Sequence, residues 1–194
     1  MKVKIINKNS LFTLSLFLIA TVVFVSCKKD KDLQPIPPPI TYAPELITSM
    51  KLLFTDSANS SNTASAYFND PDGPGGNAPV QFDTIKLQPN KTYMVELLLF
   101  DQTKNPVDTI SKEIWNKRDD HQFFFSHSGI SIQTIYLDLD TKNLPVGLST
   151  KWRTGSLSSG TSRIILKHQV GVKNGSEGAG ETDIEVTFQS KLIN

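Results

Sequence analysis

From Glu45 onward the chain alternates apolar and polar residues in short runs, and each run is cut off by turn residues before a helix could form. The run near the C-terminus is the cleanest, with Ile184, Val186 and Phe188 on one side and Asp183, Glu185, Thr187 and Gln189 on the other. Leu46, Thr48, Met50, Leu52 and Phe54 alternate with Ile47, Ser49 and Lys51, and Tyr93, Val95, Leu97 and Leu99 repeat the rhythm. Ile135, Leu137 and Leu139 read as inward, opposite Tyr136, Asp138 and Asp140. A period of two in β-branched and aromatic residues is the signal of a half-buried strand. Segments 63–69, 80–87, 121–126, 146–153 and 162–168 add further strands, and turn residues such as Asp72-Gly73, Pro89-Asn90, Ser128-Gly129 and Asn174-Gly175 lie between them. Only 109–119 offers a helical turn, with Ile110 and Ile114 four apart. The expectation is an all-β chain: a single antiparallel β-sandwich of about nine strands, immunoglobulin-like in outline.

The first residues follow a different logic. Lys2, Lys4 and Lys8 precede the apolar run Leu11 to Val25, and Ser26-Cys27 closes it. A basic start, an apolar stretch and a small residue before a cut describe a secretory signal. Phe24-Val25-Ser26-Cys27 resembles the lipobox of bacterial lipoproteins, with Phe24 in place of the usual Leu or Val. Residues 1–26 then read as a signal peptide and Cys27 as the lipidated first residue of the mature chain. A signal anchor is the competing reading, because residues 9–27 are 19 uncharged positions, close to the ~20 that span a bilayer. The placement of the lone Cys at the end of the run favours lipidation, which would make the membrane a partner through the lipid on Cys27. Residues 28–44 hold five of the chain's 11 prolines. They read as a semi-stiff polyproline II tether leading to a domain at 45–194.

Charge and composition exclude several functions. The full chain carries a net +1 and the chain from Cys27 onward a net −2, so nothing attracts nucleic acid. One Cys excludes multi-thiolate zinc and iron–sulfur sites. Neither H-E-x-x-H nor G-x-S-x-G occurs, and the expectation is a protein that is not an enzyme. The Gly-rich segment 167–180 reads as a hairpin loop, since it lacks the order of a phosphate-binding loop.

Three constellations remain as candidates. His121, His127 and His168 are the only imidazoles. With Glu113, Asp119 or Asp120 they form a candidate Zn²⁺ or Cu²⁺ site if neighbouring strand ends bring them together; separate hydrogen-bonded histidines are the alternative. Asp70 and Asp72, followed by Gly73, Gly75 and Gly76, offer oxygen donors to Ca²⁺, although no Glu closes the loop and Pro74 interrupts it; a long hairpin connection whose turns Asp, Gly and Pro set is the alternative. Phe124 in the run Phe123-Phe124-Phe125, with Trp115 and Trp152, either packs in the core and under loops or forms a candidate surface for a partner or a sugar ring.

Glu45-Leu46-Ile47-Thr48, Asp70-Pro71-Asp72-Gly73, His121-Gln122-Phe123-Phe124-Phe125, Leu166-Lys167-His168-Gln169 and Gly180-Glu181-Thr182-Asp183-Ile184 resemble segments of uncharacterised Bacteroidota envelope lipoproteins. Some of these carry the label "type 1 periplasmic binding fold superfamily". That label implies an α/β fold, which the strand-only pattern opposes. The resemblance implies a lipoprotein of the outer membrane working beside a TonB-dependent transporter, with His121, His168, Asp70 and Asp72 as positions to look for a site. The leading expectation is a non-enzymatic ligand-binding or transporter-accessory module. The alternatives are metal capture or relay by the histidines, and a structural envelope protein.

Overall fold

Period-two alternation leaves each strand with one apolar side, and two sheets bury those sides against each other. The computed structural model describes residues 46–73 and 75–194; Cys27, the signal segment 1–26 and the tether lie outside the described residues. The strands are β1 (Ser49–Asp56), β2 (Asn59–Asn69), β3 (Gln81–Phe82), β4 (Ile85–Leu87), β5 (Thr92–Phe100), β6 (His121–Ser128), β7 (Ile132–Tyr136), β8 (Ser149–Thr154), β9 (Ser158–His168) and β10 (Glu181–Leu192). One helix, α1 (Ile110–Asn116), buries Ile110 and Ile114 as their spacing predicts. The first sheet runs β3-β2-β1-β5-β8-β7 and the second β4-β10-β9-β6. All pairings are antiparallel except that of β10 with β4. The antiparallel sandwich expected from the sequence is therefore present, with ten strands among the described residues. None of their helices is long and apolar enough to cross a membrane.

Met50, Leu52 and Phe54 of β1 and Tyr93, Val95, Leu97 and Leu99 of β5 face Phe123, Ile164, Leu166, Ile184, Val186 and Phe188 of the second sheet. Trp152 of β8 is 0% exposed. Its ring meets Phe54 edge-on at 5.4 Å and Phe125 at 6.0 Å. Trp152 is thus a core residue and not part of a ligand surface, which corrects the sequence expectation. Its even-numbered neighbours Thr150 and Thr154 are also buried, and this places Trp152 on the inner face of β8.

Three local departures follow from backbone irregularity. Segment 80–87 is two strands rather than one: the chain leaves the first sheet after Phe82 and joins the second at Ile85. Past Tyr136 the strand ends, and Leu137 and Leu139 are 41% and 47% exposed while Asp140 is buried. Here hydrogen bonding overrides hydropathy, because the Asp138 carboxylate accepts from the N–H groups of Gly147 (2.7 Å) and Ser149 (2.9 Å). Asp183, expected to point outward, has a side chain only 4% exposed. Pairing shifts between Thr182 and Ile184; the β-bulge there sets Asp183 and Ile184 together opposite Leu166 and turns both inward.

Removing a buried aromatic leaves a cavity as well as forfeiting transfer energy, at ~3–5 kcal/mol. Trp152→Ala is accordingly expected to lower the unfolding free energy by about that much in urea titration, whereas Trp115→Ala should change it by under ~1 kcal/mol.

Candidate metal centre

Register alone brings two of the three histidines together. β6 and β9 pair antiparallel with His121 directly opposite His168, just past the apolar pairs Phe123–Leu166 and Phe125–Ile164. Both therefore point to the inner side at the end of the core. Their rings stack with centroids 4.6 Å apart and planes within 2°. The bulge in β10 adds the third group: Asp183 Oδ2 lies 3.7 Å from His121 Nε2. One donor atom from each of His121, His168 and Asp183 lies within 4.8 Å of the other two. The side chains of His121 and Asp183 are only 2% and 4% exposed; taken as whole residues, His121 is buried and His168 and Asp183 are both half-buried.

The backbone fixes the chemistry of His121. Its Nδ1 lies 3.0 Å from the Lys117 carbonyl, and a carbonyl only accepts, so Nδ1 carries the hydrogen. Nε2 then faces Asp183 either as an N–H paired to the carboxylate or as a lone pair with a cation between the two. A ring hydrogen donated to a backbone carbonyl is the outer-shell arrangement that orients metal-ligating imidazoles. Two imidazoles and one carboxylate suit Zn²⁺ or Cu²⁺ and not the hard cations, which take oxygen. Tetrahedral bonds of ~2.0–2.1 Å set donors about 3.3 Å apart, so side-chain rotations that close the widest gap by about 1.5 Å would complete the set.

A polar frame holds these strand ends. The Gln169 N–H donates to Asp120 O (2.6 Å), and its side-chain amide donates to Ser176 O (2.8 Å) and Ala179 O (2.9 Å) across the loop. Lys173 from the same loop donates to Arg118 O (2.7 Å) and pairs with buried Asp140 at 2.9 Å. Burial opposes ionisation of Asp140, yet the Lys173 ammonium and the N–H groups of Leu144 and Lys142 hold its carboxyl below the usual range. Gly180 has φ +71°, and a Cβ there would stand 2.1 Å from His168 O. The loop read from sequence as a hairpin is thus tied down at both ends.

The other candidates lie elsewhere. His127 is six residues along β6 from His121, about 20 Å at the rise of an extended strand. Its Nδ1 meets Ser162 Oγ at 2.9 Å and its Nε2 meets Thr134 Oγ1 at 2.8 Å, with the ring edge-on to Trp152 at 4.8 Å. It ties the two sheets together and takes no part in the cluster, which corrects the three-histidine set. Glu113 pairs with Lys117 at 3.9 Å and Asp119 binds Thr141, so neither they nor Asp120 joins the group. Asp70 and Asp72 do interact. Burial and the neighbouring Asp72 push the Asp70 carboxyl up, whereas the backbone and side-chain N–H groups of Asn77, both at 2.8 Å, hold Asp72 down. Asp72 thus serves as the turn's acceptor. Phe124 is half-buried on the outer face of β6. Trp115 is 43% exposed beneath the Arg118 guanidinium, 4.9 Å from the ring centre, and borders a cavity of ≈ 590 Å³ with Leu98, Leu148 and Asp138.

Sequence reasoning missed Asp183, Gln169 and the Lys173–Asp140 pair; for the first, alternation carried no signal, because the shift between Thr182 and Ile184 shows only in the pairing of β10 with β9. No family model, curated protein or solved structure matches the chain.

Burial lowers the pKa of His127 to about 4. The unfolded chain therefore takes up a proton near its ordinary value of ~6.5 while the folded one does not, so stability falls as pH drops from ~6.5 toward 4. Between pH 7 and 5 the wild type is expected to lose about 2 kcal/mol more than His127→Gln in urea titrations; equal losses would show that His127 charges freely in the fold.

Proposed function

We propose that this chain is a lipid-anchored, non-enzymatic module of the bacterial cell envelope that binds a divalent transition metal ion. The observation that supports it is the convergence of His121, His168 and Asp183 on one recess, with the His121 tautomer set by Lys117 O. Anchoring through Cys27, if the lipobox-like segment is processed, would keep the module at the membrane and raise its effective concentration near a partner there. An outer-membrane transporter of the TonB-dependent type is the partner consistent with the resemblance described above. Metal capture beside such a transporter joins the accessory role and the histidine-based role in one reading.

A separate feature favours a second reading, capture of a small organic ligand: the cavity beside Trp115 falls within the ~300–1,000 Å³ usual for ligand sites. Metal binding is preferred because its His121 donor is oriented by a backbone hydrogen bond, whereas Trp115 already carries Arg118 on its ring.

Loss of a ligand costs more than the ~10–100-fold typical of outer-shell changes. Titration calorimetry with Zn²⁺ is expected to show one site per chain. His121→Ala, His168→Ala and Asp183→Asn should each weaken it by more than about 100-fold, and His127→Gln should leave it unchanged. Circular dichroism on the same samples separates lost binding from lost folding. Absence of Zn²⁺ and Cu²⁺ binding by the folded wild type would end the proposal.

A further inference from the structure

The donor set among the described residues stops at three side chains. We infer that this centre leaves one coordination position of its ion for a donor supplied by another molecule, so that the ion is held for transfer and not as a structural clamp. The inference rests on the metal-binding reading above and adds to it what completes the coordination shell.

Three observations lead there. First, the carbonyls of the segment leading into His121 already accept hydrogen bonds within the fold. Lys117 O accepts from His121 Nδ1 (3.0 Å) and from the Asp120 N–H (2.9 Å), Arg118 O from Lys173 Nζ (2.7 Å), and Asp120 O from the Gln169 N–H (2.6 Å). Second, His121 is buried while Asp183 and His168 are each only half-buried, so the approach to the ion runs along the side of Asp183 and His168. Glu181, directly across from His168 on β10, is exposed and stands outside the donor group. Third, strand register and the Gln169 and Lys173 contacts hold the recess without using a metal bond. Structural zinc sites are closed by four protein ligands and supply folding energy, whereas sites with three protein ligands keep a position for water or an incoming group.

The exchange step is simple ligand replacement. Water in the fourth position leaves as a neutral molecule, and the lone pair of an incoming neutral imidazole nitrogen forms the new bond. Oxidation state and proton count are unchanged. Donors of this class, imidazole or thiolate side chains, are what a receiving protein would present.

Cobalt(II) makes the shell visible, because its d–d absorption reports coordination number and donor type. The test uses the full mature lipoprotein in detergent, without a histidine tag, loaded with Co²⁺ and titrated with imidazole. The expected result is a shift of the visible bands that saturates at one imidazole per Co²⁺, with no change in the far-ultraviolet circular dichroism. Bands that appear on loading but ignore imidazole would overturn the open position while leaving metal binding intact. A response seen only in Glu181→Gln would overturn it too, by identifying Glu181 as the fourth donor. Failure of Co²⁺ to give any protein-bound bands would remove the metal-binding reading and this inference together.

Discussion

Face-to-face burial of two sheets around Trp152, Phe54 and Phe123 is the constraint on which the rest depends. Each inner face is apolar by strict alternation, so a one-residue slip in any strand would turn its core set outward. That requirement fixes β6 against β9 and β9 against β10, and with them the positions of the strand ends. His121 and His168 meet because Phe123 and Leu166, two residues inside them, must pair in the core.

The end of the core is also where polar groups become affordable. At the other end of β6 a charged group lacks partners, and half-buried His127 is held there through two hydroxyl contacts and at the expense of its basicity. At the β6–β9–β10 end, by contrast, loops supply carbonyls and charges: Lys117 O for His121, Asp140 for Lys173, Asp120 O for the Gln169 backbone. Burying the Lys173–Asp140 pair gains little net energy for the fold, but removing either partner would strand a charge. Its effect is to fix where the 169–180 loop lies, and so the path of the chain from His168 to the bulge at Asp183.

The sandwich was legible in sequence because period-two burial is a property of each strand by itself. Met50, Leu52, Phe54, Tyr93, Val95, Leu97 and Leu99 all lie where alternation puts them. The His121–His168 meeting was a conditional reading, since pairing partners follow from strand order, which alternation does not encode. Asp183 was assigned to the wrong face because one inserted residue reverses phase, and a bulge leaves the local hydropathy pattern untouched. Leu137 and Leu139 failed for a different reason. Two N–H groups from Gly147 and Ser149 fix the Asp138 carboxylate, and the contiguous apolar residues were left outside. Trp152 was ambiguous because a Trp serves equally in a core or on a surface, and only the packing of β8 decides.

The passage of the chain between sheets at Asp83 and Thr84 has a bearing on self-association. On one side of the sandwich β3 and β4 are the outermost strands of the two sheets and form one covalent ribbon; on the other side β6 and β7 are outermost and are joined by Gly129 to Ser131. Both flanks are thereby laced by short connections, and two of the four outermost strands, β3 and β4, are only two and three residues long. Long, exposed outer strands are templates on which a second chain can add. Because β3 covers only Phe68 and Asn69 of β2, and β4 only Ser190 to Leu192 of β10, the remaining outer edges of those two long strands, with β6, are the backbone on which a second copy would add if two molecules met edge to edge.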